Sequence, residues 1–191
     1  MTGFAGQRTP HNLNSTILRE YDIRGIVGDT LTAEDAYVIG RAFGTEISSA
    51  GAGVVCVGYD GRLSSPEMEC ATVDGLTACG LEVVRVGLGP TPMLYFSVNR
   101  LNAAGGIMIS GSHNPPEYNG FKMMRGAKPF YGADITNLDR IASAGRYASG
   151  EGTVRKNPML GHYVERILQD YRDGRDLRVA WDAGNGAAGE A

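Results

Sequence analysis

The chain has 191 residues, 42% of them hydrophobic, enough for one packed domain at roughly 150 residues per domain with some chain left over. Its formal charge of −3, from 18 Lys and Arg against 21 Asp and Glu, offers no basic field for nucleic acid, and no run approaches the roughly 18 apolar residues of a spanning helix. The opening MTGFAGQRTPHNLNST lacks the apolar stretch of a secretory signal, so the sequence reads as a soluble, cytoplasmic protein with neither nucleic-acid nor membrane partners.

Regular patterning begins near residue 31. Thr32 followed by Asp35 reads as a capping box, and Ile39, Phe43 and Ile47 then line one face of a helix that ends near Gly51. Residues 54–57 form a short apolar run between glycines, as expected of a strand covered on both faces. Ser65-Pro66 opens a second helix whose inner stripe is Met68, Thr72, Leu76 and Cys79. Strands at about 82–86 and 106–109 follow, separated by the glycine- and proline-rich loop 87–92 and a short helix. This alternation predicts an α/β fold with a mostly parallel or mixed sheet sandwiched by helices. The 28 glycines, about twice the ~7% average, suit tight turns between such elements. Cys56, Cys70 and Cys79 are odd in number and lack C-x-x-C spacing, so they read as small buried hydrophobes, not as a disulfide framework or zinc site.

Residues 147–158 read as a linker. Beyond it Met159, Tyr163, Ile167, Leu168 and Tyr171 mark an amphipathic helix closed by Gly174, and residues 177–181 look like one more strand. Residues 1–157 are therefore expected to form one domain, and 158–191 the first helix and strand of a second, similar one. That second piece is expected to be incomplete, because a helix and one strand cannot bury their own apolar faces. Self-association through the helix stripe, without catalysis, is the alternative function such a chain would have.

In open α/β sheets ligands bind where strand carboxyl ends meet loops, which directs attention to the segment after Ile109. It reads Ser110-Gly111-Ser112-His113-Asn114-Pro115-Pro116, a serine and a histidine on a glycine-flanked loop. A serine hydrolase does not fit: G-x-S-x-G needs a glycine where Asn114 stands, and a base adjacent in sequence rarely has the required geometry. Ser112, Asn114 and Pro115 are also ordinary turn builders. The later run Gly184-Asn185-Gly186-Ala187-Ala188-Gly189 satisfies G-x-G-x-x-G, but the helix and acidic residue that would make it a dinucleotide site are not in the sequence.

Two further stretches change the weighting. Tyr21-Asp22-Ile23-Arg24-Gly25 sets an arginine beside a glycine, and Tyr118-Asn119-Gly120-Phe121-Lys122 sets a lysine ten positions after Ser112. With Tyr59-Asp60-Gly61-Arg62 and Ser112-His113-Asn114-Pro115, four motifs stand in order over roughly residues 17–190, and the chain resembles the N-terminal, phosphoserine domain of the α-D-phosphohexomutases. The resemblance implies an intramolecular phosphotransferase acting on a hexose phosphate through a bisphosphorylated sugar, with a hexose bisphosphate as activator. It assigns the phosphoryl group to Ser112, cationic stabilisation to Arg24 and Lys122, either a packing or loop-orienting role or direct contact with the reacting oxygen to His113, and a sugar-facing role to Tyr21. Asp60 and Arg62 are left to order the neighbouring loop. It also implies four domains and a Mg2+ ion held by the serine phosphate with an aspartate-rich loop. No D-x-D-x-D occurs here, so Ser112 is the only expected metal contact, through its phosphate, and the chain alone is expected to be inactive.

Overall fold

The computed structural model describes residues 9–51, 53–172, 174, 176–184, 186–189 and 191. The capping box at Thr32 opens α1 (Ala33–Ser49): Thr32 Oγ1 accepts from Asp35 N at 3.2 Å, and Asp35 Oδ2 accepts from Thr32 N at 2.8 Å. The other oxygen of Asp35 lies 2.7 Å from His11 Nε2, which ties the N-terminal segment to the start of the helix.

Apolar residues 54–57 lie in β2 (Val54–Tyr59), at the centre of the sheet. α2 (Ser65–Thr77) carries Pro66 in its first turn and leads to β3 (Glu82–Leu88), and α3 (Thr91–Arg100) leads to β4 (Gly105–Ile109). β3 and β4 flank β2 in parallel. β5 (Tyr118–Arg125) then returns antiparallel to β4, β1 (Ile23–Ile26) lies antiparallel beyond it, and β6 (Lys128–Phe130) also pairs with β5. α4 (Ala133–Ala144) follows, and β7 (Thr153–Lys156) closes the far edge parallel to β3, giving the order β1-β5-β4-β2-β3-β7. This is the expected mixed sheet.

Alternate side chains on each strand separate two cores. Val55, Val57, Ile107, Ile109 and Phe121 face α1, α2 and α4, whereas Cys56, Val84, Met108 and Met124 face α3 and α5 (Leu160–Leu168). Both helix layers press on the start of β4. A Cβ on Gly106 would stand 2.6 Å from Val98 Cγ2 of α3, and one on Gly105 would stand 2.9 Å from Phe43 Cζ of α1. The absence of a side chain there is what permits the close approach.

Several elements differ from the sequence reading. The expected linker contains β7, whose four residues are all exposed, so neither alternation nor an apolar run announces it. Past β7 the chain still pairs with β3, Asn157 N donating to Arg85 O at 2.9 Å and Met159 N to Val86 O at 3.0 Å, and Met159 is buried in the second core. Residues 177–181 have no regular structure: Leu177, Val179 and Trp181 are exposed, and no described strand lies beside them to accept the hydrogen bonds a strand requires. Cys70 is exposed, unlike Cys56 and Cys79, because it lies off the inner stripe of α2. Among the described residues no helix is long and apolar enough to cross a membrane.

Burial pushes the Cys56 thiol up to about 12 and also raises that of Cys79. A thiol-specific reagent at neutral pH should therefore modify Cys70 alone until the protein unfolds, as intact mass before and after denaturant would show. Because the folded value for Cys56 exceeds its ordinary 9.0, the stability from its neutral form is fully present below pH 9 and is lost as pH rises toward 12. Amide exchange checks the C-terminal segment: residues 176–184 should exchange at nearly unstructured rates, whereas Val55 and Val57 should be protected to the level of global unfolding.

Candidate active site

β2, β3 and β4 point their carboxyl ends to one edge of the sheet, where residues 60–64, 89–91 and 110–117 surround an open cleft of about 840 Å³. Ser112 and His113 lie in its wall. The loop that carries them spans the reversal from β4 to β5, closed at its base by Ser110 N donating to Gly120 O at 3.0 Å. Inside it Asn114 N donates to Gly111 O at 3.1 Å and Tyr118 N to Pro115 O at 3.0 Å. Ser112 has φ +53°, a left-handed conformation that costs a non-glycine residue about 1–3 kcal/mol and persists only where surroundings enforce it. Its own N–H donates to Ser110 Oγ at 2.9 Å, and its Oγ lies 3.2 Å from His113 Nδ1.

The enforcing contacts come from the end of β2. The Arg62 guanidinium reaches three carbonyls of the loop and one at the start of β5: Nη1 donates to Pro115 O (2.6 Å) and Tyr118 O (3.0 Å), and Nη2 to Ser112 O (3.0 Å) and Asn114 O (2.6 Å). Asp60 Oδ2 accepts from Gly111 N at 3.0 Å and lies 3.4 Å from Arg62 Nε, while Oδ1 accepts from Arg62 N at 3.1 Å and Ser65 Oγ at 2.6 Å. Below them the buried Asn119 amide donates to Ser64 Oγ (2.9 Å) and Ser65 Oγ (3.0 Å), joining β5 to the start of α2.

Arg24 and Lys122 meet on one carboxylate. Arg24 Nε and Nη2 donate to Asp22 Oδ2 at 3.1 and 3.0 Å, and Lys122 Nζ is 3.8 Å from the same oxygen. Arg24 is buried, and its Nη1 donates to Ser110 O at the root of the loop. Lys122 is half-buried on β5, opposite Met108 of β4. Tyr21 is exposed, its ring centroid 6.2 Å from that of Tyr131.

The expected residues thus fall into two groups. Ser112 and His113 line the cleft, whereas Arg24, Lys122 and Tyr21 are not among its described lining residues. Gly184, Gly186, Ala187 and Ala188 of the G-x-G-x-x-G run also line it, but no helix opens there among the described residues. Sequence reasoning assigned no role to Asp22 or Asn119. Both stand inside the motifs that carry Arg24 and Lys122, which was the available signal.

Comparison with known proteins identifies the family of the fold. Residues 15–146 match the family description "Phosphoglucomutase/phosphomannomutase, alpha/beta/alpha domain I". A phosphomannomutase/phosphoglucomutase of Pseudomonas aeruginosa is 45% identical over 177 residues, 93% of this chain and 38% of that protein. A phosphoglucomutase of Neisseria meningitidis is 43% identical over 179 residues, 91% of this chain and 38% of that protein. The crystal structure of a phosphoglucomutase/phosphomannomutase family protein from Burkholderia thailandensis superposes with a TM-score of 0.81 at 41% identity, covering 85% of this chain and 37% of that one. The chain spans about two fifths of the length of the curated relatives it matches. On the family match across β1 to α4, the chain belongs to the phosphoglucomutase/phosphomannomutase family and contains its alpha/beta/alpha domain I.

Proposed function

We propose that Ser112 carries a phosphoryl group and that this chain is the phosphoserine-bearing part of an enzyme interconverting hexose 1- and 6-phosphates. The observation that carries this reading is Ser112 itself, held at φ +53° on a loop at the carboxyl edge of the sheet, with an imidazole nitrogen 3.2 Å from its oxygen. In the first half-reaction a sugar hydroxyl oxygen bonds to phosphorus, the P–Oγ bond breaks, and the hydroxyl proton is lost as Ser112 Oγ gains one. His113 Nδ1 is within reach of that oxygen for the proton. The product is a hexose bisphosphate. After it turns over, Ser112 Oγ takes its other phosphoryl group, and a free hexose bisphosphate primes an empty serine in the same way.

Phosphoryl transfer is catalysed mainly by positioning and by cations on the phosphoryl oxygens. Arg24 engages three of its five N–H groups within the chain and keeps two for an anion, in the planar fork that suits phosphate. Lys122 supplies a point charge. Asp22 holds both cations together when no phosphate is present, and the exposed Tyr21 ring offers an apolar face to the sugar.

Magnesium requires several oxygen ligands in near-octahedral geometry. Among the described residues no group of three or more His, Cys, Asp or Glu could hold a metal ion, and two carboxylates beside the loop are engaged, Asp60 by Gly111, Ser65 and Arg62, and Asp22 by Arg24 and Lys122. The residues present do not form a magnesium cage. The chemistry assigned to this chain is phosphoryl carriage and charge stabilisation.

The 191-residue chain should show no mutase turnover above background in a coupled assay with magnesium and glucose 1,6-bisphosphate. A protein carrying this sequence at its relatives' full length should turn over, and Ser112→Ala should lower its rate by orders of magnitude. Wild-type turnover in that variant would defeat the carrier role. In the same protein Lys122→Ala should reduce kcat by about 10²–10³, with little change in KM. Arg24→Lys keeps the charge but loses the fork, so kcat should again fall substantially; a variant that is folded, phosphorylated and kinetically normal would show that the bidentate grip is not used.

A further inference from the structure

Arg62 lines the same cleft as Ser112 and His113, where a cation would ordinarily be read as a ligand for substrate phosphate. Its hydrogen bonds argue otherwise. A guanidinium has five N–H groups. Four point at the carbonyls of Ser112, Asn114, Pro115 and Tyr118, and the nitrogen of the fifth, Nε, lies 3.4 Å from Asp60 Oδ2. The terminal fork that would grip a phosphate is fully taken, and the charge is already opposed by a carboxylate and four carbonyl dipoles.

We propose that Arg62 is a positioning residue: its guanidinium is the template on which the Ser112 loop is wound, setting the left-handed backbone that presents the serine oxygen, and it holds no part of the substrate. This rests on the reading of Ser112 as phosphoryl carrier. The loop has no regular structure of its own between the ends of β4 and β5, so no strand ladder holds its carbonyls in one direction. One planar fork gathers three of them and the carbonyl of Tyr118 at the start of β5, which a lysine, with three N–H groups on a single atom, cannot do. Gly111 makes room for the arrangement. A Cβ there would stand 2.0 Å from Arg62 Nε, although the φ of Gly111 is not in the left-handed region and the backbone itself would accept alanine. Asp60 completes the device by holding Gly111 N and the Arg62 backbone at once, and Ser65 and Asn119 tie Asp60 to α2 and β5.

The test uses the 191-residue chain without substrate. Arg62→Lys, Arg62→Ala and Gly111→Ala should each speed amide exchange in residues 111–118 by at least about tenfold while Val55 and Val57 stay protected, and Ser112 should lose the carbon chemical shifts of a left-handed residue. In Arg62→Ala, millimolar guanidinium chloride should restore loop protection and ammonium chloride should not. Gly111→Ala should add little to Arg62→Ala, since the group it collides with is gone. An unchanged loop in a folded Arg62→Ala or Gly111→Ala overturns the proposal. So does equal loosening of loop and core, which would make Arg62 a general fold residue, or a shift of wild-type Arg62 side-chain resonances on titration with inorganic phosphate. If Arg62→Ala does not fold, Gly111→Ala decides alone. Failure of the carrier reading would appear elsewhere, as retained turnover in Ser112→Ala.

Discussion

A parallel strand followed by an antiparallel neighbour obliges the chain to turn back at the strand's carboxyl end, and the turn from β4 to β5 imposes most of what the site looks like. Ile109 pairs with Phe121 and Met108 with Lys122, so the register brings a lysine ten residues downstream back beside the strand that launches Ser112. The same pairing lays β1 along the far side of β5, with Arg24 opposite Gly120. Three segments distant in sequence meet at one corner because a single reversal is short and its two strands are in register.

The corner holds two arginine–aspartate pairs that look alike on paper and differ in what remains available. Arg62 with Asp60 is saturated at its fork: all four terminal N–H groups donate to carbonyls, and both carboxylate oxygens are shared with the backbone or with Ser65. Arg24 with Asp22 is not, and its carboxylate is shared with a second cation. A saturated pair shapes the backbone, whereas an unsaturated one can exchange its internal anion for an external one of higher charge. Residue type and motif membership do not reveal this difference. The direction of the carbonyls does.

Much of the fold could be read from local chemistry. The Thr32–Asp35 box, Pro66 at a helix start and the apolar run at 54–57 each express a preference that acts over a few residues, and each is realised in the structure. What escaped depends on distant partners. β7 exists because β3 offers it hydrogen bonds, not because Thr153, Val154, Arg155 and Lys156 form a pattern, and residues 177–181 stay irregular for the converse reason despite a strand-like sequence. α4 carries a buried stripe of Ile135, Leu138, Ile141 and Ala142 that the sequence displays and that went unread. At the site, Ser112 was visible as a serine after a strand. Arg62 was visible only as a member of a motif, since four carbonyl partners leave no trace in residue identities.

The crowding at Gly105 and Gly106 carries a consequence for tolerance of change. Val98 of α3 bears on one face of β4 and Phe43 of α1 on the other, so the strand is gripped where it begins and delivers its loop where it ends, about 13–17 Å further on at 3.3 Å per residue. Adding one methyl group at either glycine would force a helix away or tilt the strand, and a tilt at the gripped end is enlarged along its length. Inherited damage to the site can therefore arise at its antipode: an alanine at residue 106, remote from every charged group of the cleft, would misalign the serine without touching it.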